Sequence, residues 1–147
     1  MTRSLSRLLV IGLDGVTWRV LKPLVEKGTM PHLKRLVDTG YHSSLLSTMP
    51  PISASAWSTF ITGKNPGQHG ILQFVNLKGG ATADETGVEI FPGVFSVVNT
   101  RSIQGQTLWQ HLSQAGLRVG IMNVPMTYPP EPVNGFVITG MLTPPGA

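Results

Sequence analysis

The sequence predicts an α/β fold, with a mostly parallel β-sheet that is covered by helices on both faces. Short apolar runs alternate along the chain with segments of helical periodicity, and this alternation is typical of parallel sheets. Glycine or proline punctuates most of these segments. Hydrophobic residues make up 41% of the 147 residues and charged residues only 12%. This composition is too apolar for a disordered chain, and the length suits one domain.

The first third of the chain predicts two strands and two helices. Pro31 is well placed to begin a helix, while Gly28 and Gly40 follow helical patterns as C-terminal caps do. The apolar run before Gly15 is short and continuous, as expected of a buried strand. The predicted elements are a strand at 7–13, a helix at 17–27, a helix at 31–39, and a strand or extended segment at 41–48.

The remainder predicts a helix, an excursion from the core, and a final helix with two strands. The excursion, residues 76–104, is rich in glycine and holds three of the seven acidic residues, so we expect a hairpin or a partial cap. Trp109, with Leu108 and Leu112, is predicted to face inward, and Trp18 and Trp57 are predicted core aromatics. The elements are a helix at 55–62, a helix at 106–115, and strands at 118–124 and 135–139.

Charge and composition exclude several classes of protein. The net charge is +4, but the basic residues are scattered, which favours mild attraction of anionic substrates over nucleic-acid binding. The absence of cysteine excludes disulfides and thiolate metal sites. No apolar stretch approaches the roughly 20 residues of a membrane span. Arg3 and Arg7 precede a short apolar run without a cleavage site, and we expect a cytoplasmic protein without a membrane partner.

Asp14 and Ser53 are the most informative residues of the chain. Asp14 directly follows the first predicted strand, and in open α/β sheets ligands gather at the carboxyl ends of strands. Ser53 precedes a predicted helix, whose N-terminal amides and dipole favour a bound phosphate. A carboxylate is also a suitable ligand for a divalent ion. Each residue has a plain structural alternative as a helix cap, and local reasoning does not choose Ser53 over Ser55 as the reactive hydroxyl.

Other motifs are weaker. Gly63-Lys64 resembles part of a P-loop, but Ser58 stands where the earlier glycine is required and Asn65 follows the lysine. The glycines around Asp14 do not form a dinucleotide-binding fingerprint. His69 is either a ligand or, as we favour, a loop residue that bonds to the backbone and holds a turn. The isolated histidines are expected to be structural: His32, His42 and His111.

The combined motifs resemble the type I phosphodiesterase/nucleotide pyrophosphatase family of the alkaline phosphatase superfamily. Within that family the chain looks most like prokaryotic phosphohydrolases or phosphomutases. The resemblance covers nearly the whole chain, and its segments are Val10–Gly15, Met30–Leu33, Gly40, Thr48–Trp57, Thr62–Ile71, Thr107–Trp109, Gly120, Asn123–Pro130 and Gly135–Phe136.

The resemblance implies an alkaline phosphatase-like fold and specific roles for two residues. Asp14 corresponds to the family's first metal-binding aspartate. Ser53 lies nine residues before Thr62 of the Thr-Gly pair, which is the position of the family's nucleophile. Family members bind two divalent metal ions, usually zinc, and the nucleophile both ligates a metal and forms a covalent phospho-enzyme. The resemblance thus implies a small-molecule phosphate ester as substrate.

Two departures from the family pattern limit these expectations. Nucleotide pyrophosphatases place an asparagine shortly after the His-Gly-Ile motif, whereas Phe74 occupies that position here and Asn76 lies nearby. The remaining metal ligands of the family lie further along than position 147. We therefore expect residues 1–147 to be the N-terminal part of an alkaline phosphatase-like catalytic domain, with an incomplete sheet and no activity of its own.

Three functions remain open from the sequence. The first is a metal-dependent phosphoric ester hydrolase that acts through phospho-Ser53. The second is a phosphomutase or phosphotransferase on the same scaffold, in which another hydroxyl replaces water as the acceptor. The third is a non-catalytic fragment or binding domain. A sulfatase is disfavoured, since Ser53–Trp57 lacks the proline and arginine that follow a sulfatase nucleophile.

Overall fold

The structure, a computed structural model, describes residues 7–77 and 95–146. The chain divides into two compact units, one that ends at Leu46 and one that begins at Ser47. Most of the predicted excursion, at 78–94, lies outside the described residues. The single catalytic domain expected for 1–147 stays a prediction.

The first unit contains the two predicted helices, α1 (Trp18–Glu26) and α2 (Pro31–Thr39). Pro31 is the first residue of α2, and Gly28 adopts a φ of +75° just after α1, as its predicted capping role requires. The indole Nε1 of Trp18 donates a hydrogen bond to the Ser43 carbonyl at 3.0 Å. The His42 ring packs edge-on against the same indole, with ring centroids 5.5 Å apart. These contacts hold the chain after α2 against α1.

The prediction of a buried strand at 7–13 is wrong in this structure. Those residues form no strand, and their apolar side chains are exposed, Leu8 by 86%. Residues 41–48 likewise form no strand and are mostly exposed. The physical reason is that a strand needs a paired neighbour for its backbone and a packed face for its side chains. The described part of the first unit consists of two short helices and offers no sheet for either segment to join.

The second unit holds three helices, a 3₁₀ turn and four strands among its described residues. Two predicted helices are confirmed with shifted ends, and the two C-terminal strands are confirmed. The elements are α3 (Ser53–Thr62), α4 (Pro66–His69), β1 (Val75–Leu77), β2 (Phe95–Val97), the 3₁₀ turn (Thr100–Ser102), α5 (Leu108–Gln114), β3 (Val119–Val124) and β4 (Gly135–Thr139).

The strands form two small sheets. β3 and β4 run parallel, in a register from Val119 opposite Gly135 to Val124 opposite Thr139, with a bulge between Met122 and Val124. β1 and β2 pair antiparallel. In the sequence, β1 precedes residues 78–94 and β2 follows them. The described chain is therefore a mixture of helices and small sheets, consistent with an α/β fold that contains one parallel and one antiparallel pair.

Helix α3 runs through both hydrophobic clusters of the second unit. Ala54 belongs to a cluster with Ile71, Val98 and Met126. At the other end of the helix, Ile61 packs with residues of α5 and β3, which are Trp109 and Ile121. The inward direction predicted for Leu108 is wrong, since 42% of its surface is exposed. Successive helical residues point about 100° apart, so the burial of Trp109 turns Leu108 outward.

Glu131 joins the loop between β3 and β4 to the start of α5. Its carboxylate accepts hydrogen bonds from Thr107 Oγ1 at 2.9 Å, Trp109 Nε1 at 2.6 Å and Gln110 Nε2 at 2.8 Å. Thr107 also caps α5, and its side chain accepts from the backbone N–H of Gln110. A negative charge at this end of a helix is favourable for the helix dipole.

We expect Glu131→Ala to lower the free energy of unfolding by about 2–3 kcal/mol, because it removes charged acceptors from partly buried donors. Thermal or urea unfolding of the full-length protein measures the change. Glu26→Ala is the matched control, since its carboxylate lies 3.9 Å from Lys22 in an exposed pair, and such pairs contribute roughly 0–1 kcal/mol. Equal losses in the two variants would contradict the role given to Glu131.

The outer face of the β3–β4 pair is apolar and exposed. Met122 is 60% exposed, and Phe136 and Ile138 are also exposed. The Phe136 ring lies over Gly120, where a Cβ would sit 2.7 Å from the ring. Exposed apolar sheet faces of this kind promote association.

We therefore expect residues 1–147, expressed alone, to self-associate. Substitution of Met122 and Ile138 together by lysine should lower the average mass measured by light scattering, because the charges oppose burial of this face. Arg118→Lys, at an exposed position next to β3, is the control and should leave the mass unchanged. A monomeric unmodified chain would show that this face does not drive association.

Candidate active site

Ser53 is the first residue of helix α3 rather than the residue before it. Ile52 occupies the N-cap position in an extended conformation, with φ −113° and ψ 140°, and makes no side-chain capping bond. The prediction that the helix starts at residue 55 is therefore two residues late. Ser53 is half-buried, and as the first helical residue it belongs to the turn whose amides have no intrahelical acceptor.

The first turn of α3 has the electrostatic character of an anion site. It contains no acidic side chain, and an isoleucine at the N-cap does not satisfy its amides as Ser, Thr, Asp or Asn would. The amide dipoles of a ten-residue helix concentrate partial positive charge at this end. A phosphate group near Ser53 would meet both the amides and the dipole.

Two loops at the carboxyl edge of the parallel pair lie against this end of α3. Met126, in the loop after β3, packs with Ala54 and is itself 1% exposed. The N–H of Met126 donates to the Met141 carbonyl in the loop after β4, and Leu142 from that loop packs against the same cluster. Ser53 therefore begins a helix at the edge of the parallel strands where α/β proteins bind ligands.

The backbone at the end of β3 and in the loop that follows it adopts conformations that residues other than glycine rarely take. Asn123 has a φ of +55° and Met126 a φ of +62°. Asparagine tolerates this region well, whereas for methionine it is unfavourable. Two side chains also bond to Met126 at this turn. Thr100 Oγ1 donates to the Met126 carbonyl at 3.0 Å, and Ser58 Oγ donates to the Met126 sulfur at 3.7 Å.

Burial distinguishes Ser53 from Ser55, which the sequence left as the alternative, and also from Ser58. Ser53 is half-buried, but Ser55 and Ser58 are fully buried. Ser58 is bonded to Met126, while the Ser55 hydroxyl has no hydrogen-bond partner among the described residues. A fully buried hydroxyl is inaccessible to a substrate, so the geometry disfavours Ser55 as the nucleophile.

We expect Ser55→Ala to leave the thermal midpoint of the full-length protein unchanged or slightly raised. The substitution removes a buried hydroxyl that forms no bond and leaves an apolar group in its place. Ser58→Ala, which removes a bonded hydroxyl, is the comparison and should lower the midpoint. Differential scanning calorimetry measures both, and a larger loss in Ser55→Ala than in Ser58→Ala would contradict the packing.

His69 connects α3 to the loop that follows α4. Its side chain is fully buried; Nδ1 accepts a hydrogen bond from the Ile71 N–H at 3.1 Å, and Nε2 lies 2.9 Å from Thr59 Oγ1. Because Nδ1 accepts, the proton of the neutral ring is on Nε2 and points to Thr59. Both ring nitrogens are engaged within the protein. This geometry favours the backbone-anchoring role over a metal-binding one.

Burial lowers the pKa of His69 below 6.5, and the backbone carbonyls of His69 and Ser55 oppose this only in part. The unfolded chain then binds a proton more readily than the folded one. The contribution of the neutral His69 ring to the free energy of unfolding is therefore complete at a pH above the pKa of the unfolded chain. It is lost as the pH falls towards the lower pKa of His69 in the folded protein.

We expect unfolding stability to decline from pH 7.5 to 5.5 more steeply in the unmodified protein than in His69→Gln, which cannot titrate here. Urea unfolding at a series of pH values measures both slopes in the full-length protein. Identical slopes would mean that His69 is not held neutral by the fold.

The other predicted polar residues take structural positions. Asn65 caps α4, accepts from the Gln68 N–H, and its own N–H donates to the Gln68 side chain. His32 and His111 are exposed on helices, and His42 packs on Trp18. Trp109 is buried as predicted, whereas Trp57 and Trp18 are only half-buried.

Asp14 lies in an exposed turn before α1, in the first unit, whereas Ser53 belongs to the second. The metal-binding role of Asp14 and the nucleophilic role of Ser53 that the family resemblance implies stay predictions. Within 7–77 and 95–146, no three His, Cys, Asp or Glu side chains lie close enough to hold a metal ion. Asp14 and Ser53 have oxygen donors of the type that divalent ions bind, but the described residues do not form a complete metal site.

Comparison with protein families decides the identity of the chain. The family model for type I phosphodiesterase / nucleotide pyrophosphatase matches residues 8–146. The chain belongs to this family. Phosphodiesterase and pyrophosphatase families consist of enzymes that hydrolyse phosphate esters and anhydrides, and the resemblance found in the motifs is thereby confirmed. No curated protein and no solved structure shows significant similarity to the chain.

Two further observations complete the description of the site. No helix in the described parts of this family member has the length and apolar character to cross a membrane. Sequence reasoning missed the pairing of Thr59 with His69, although the two residues flank the Gly63–Pro66 turn. The signal available was a polar pair placed on either side of a tight connection between two helices.

Proposed function

We propose that the protein is a metal-dependent phosphoric ester hydrolase that acts through a covalent phospho-serine at Ser53. The observation that carries this proposal is the position of Ser53. It is a half-buried hydroxyl on the first turn of a helix whose N-cap residue is isoleucine, beside the carboxyl edge of a parallel strand pair, in a chain of the phosphodiesterase family. Ser55, the alternative hydroxyl on the same helix turn, is fully buried.

The chemistry proceeds in two displacements. Ser53 Oγ attacks phosphorus in line with the departing ester oxygen, so that a new O–P bond forms as the substrate O–P bond breaks. The serine proton is transferred to the departing alcohol. Water then attacks the phospho-serine, takes up the phosphoryl group and restores the hydroxyl. Amides of the first α3 turn would stabilise negative charge on the phosphoryl oxygens in both steps.

Metal binding is part of this proposal. The Asp14 carboxylate and the Ser53 hydroxyl would contribute two of the ligands for a pair of divalent ions, with zinc as the expected metal. Bound ions of this kind neutralise phosphoryl charge and favour an ionised hydroxyl. Since no three metal-binding side chains cluster in the described chain, further ligands are required from elsewhere in the protein.

A small-molecule phosphate ester is the proposed substrate, and the cytoplasm the proposed location. Phe74 supports a substrate other than a typical nucleotide pyrophosphate. Its partly buried ring packs against the cluster of Ala54 and Met126, where it has no amide to offer to a phosphate oxygen. Asn76 lies on β1 opposite Ser96, so it belongs to the small antiparallel sheet.

We expect Ser53→Ala in the full-length protein to reduce turnover by roughly 10³-fold or more, because it removes the atom that bonds to phosphorus. Metal content should be retained in this variant but lost in Asp14→Ala, which removes an anionic ligand. Hydrolysis of an aryl phosphodiester and an aryl phosphomonoester, together with elemental analysis, measures both effects.

Ser55→Ala is the matched control for this experiment. It removes a hydroxyl two residues along the same helix and should retain turnover and metal. Undiminished turnover in Ser53→Ala, or its loss in Ser55→Ala with the protein still folded, would refute the assignment of the nucleophile.

A further inference from the structure

We propose that His69 is a positioning residue that holds helix α3 in the orientation from which Ser53 attacks. This inference rests on the proposed role of Ser53. It concerns a side chain that contacts neither the substrate nor Ser53 in the proposed mechanism, and that acts on the reaction only through the backbone of α3.

The imidazole contacts α3 directly at Thr59 and is linked to its first turn through Ile71. Its Nε2 lies 2.9 Å from Thr59 Oγ1 in the middle of the helix. Its Nδ1 accepts from the N–H of Ile71 at 3.1 Å, and Ile71 is fully buried in the same cluster as Ala54, the neighbour of Ser53. One rigid ring thus links the centre of the helix to the residue that packs against its first turn.

The position of the ring is itself fixed on the other side. The backbone N–H of Gln104 donates to the His69 carbonyl at 3.0 Å, and the N–H of His69 donates to the Asn65 carbonyl at 3.0 Å. The Gln104 side chain also lies against Gly70, where an added Cβ would sit 3.3 Å from its amide nitrogen. These contacts anchor His69 to the loop that leads into α5 and to the start of α4.

A helix transmits displacements along its length. Thr59 lies six residues after Ser53, which corresponds to a rise of about 9 Å along the helix axis. A shift or rotation of α3 at Thr59 therefore reappears at Ser53, and a misplacement of about 1 Å in a reacting group can reduce rate by about 10²-fold. The contact between His69 and Thr59 restricts such movement, because neither side chain reaches solvent freely.

A catalytic Thr59–His69 dyad is the alternative explanation of the short contact, and the ring's hydrogen bonds argue against it. A general base needs an unprotonated nitrogen facing the hydroxyl. Here the Ile71 N–H occupies Nδ1, so Nε2 carries the proton and donates to Thr59. The hydroxyl is an acceptor from the ring and is not activated as a nucleophile.

The test compares Thr59→Val, Thr59→Ser and Thr62→Val in the full-length protein. Thr59→Val keeps the side-chain shape but removes the acceptor, so we expect kcat for an aryl phosphodiester to fall about 10- to 100-fold. KM should stay within about twofold, since binding is unaltered. Thr59→Ser should restore most of kcat. Thr62→Val is the control, because the bonds of the Thr62 hydroxyl within the described residues are to the Ser58 carbonyl and the Lys64 amide, not to His69.

Two substitutions of His69 separate its contacts. His69→Gln can retain a donor near Thr59, and His69→Asn can retain an acceptor near the Ile71 N–H. We expect His69→Gln to keep more of kcat than His69→Asn, with the folded fraction of each variant measured by circular dichroism at the assay temperature. His69 variants that are folded and keep the wild-type kcat would overturn the inference. So would variants whose kcat falls by no more than their folded fraction falls.

The outcomes also separate this inference from the proposed function. If the unmodified protein is active and Ser53→Ala is inactive while Thr59→Val matches the wild type, then the nucleophile stands and the positioning role fails. If Ser53→Ala retains turnover, both fail, because there is no Ser53 attack for His69 to position.

Discussion

The burial of helix α3 is the constraint on which the second unit depends. One end of the helix packs in the cluster of Ile71, Val98 and Met126, and the other packs against α5 and β3. A helix packed at both ends carries polar side chains into the core, where most buried polar groups have a partner, although Ser55 has none among the described residues. Met126 is the hydrogen-bond partner of Ser58, and His69 is the hydrogen-bond partner of Thr59. Met126 and His69 are themselves almost completely buried.

The same burial determines what α3 can do chemically. Ser55 and Ser58 are fully buried, whereas Ser53 on the first turn is half-buried, and the N-cap residue Ile52 makes no side-chain capping bond. The parallel pairing of β3 and β4 brings two loops to this end of the helix through Met126 and Leu142. Packing and electrostatics therefore both support the proposed phosphate-binding position at Ser53.

Sequence alone predicted the helices well and the first strand poorly, for a physical reason. Helices such as α2 are bounded by local signals, here Pro31 and Gly40, whereas a strand at 7–13 requires a partner that the described first unit does not provide. At the site, local patterns left Ser53 and Ser55 equivalent, and only the family resemblance distinguished them. Their burial depends on residues as distant as Met126, which no local pattern encodes. The contacts of Glu131 with α5 were missed for the same reason, whereas the bond of His69 to the backbone was expected and only its pairing with Thr59 was missed.

The central claim is that Ser53 becomes covalently phosphorylated, and its most direct test is rapid quenching of the full-length protein during hydrolysis of an aryl phosphodiester. Peptide mass spectrometry then locates the adduct. The account predicts a phosphoryl adduct on Ser53 that forms and decays at rates compatible with turnover. An adduct on Ser55 or another residue, or sustained turnover with no adduct at any time after mixing, would contradict it.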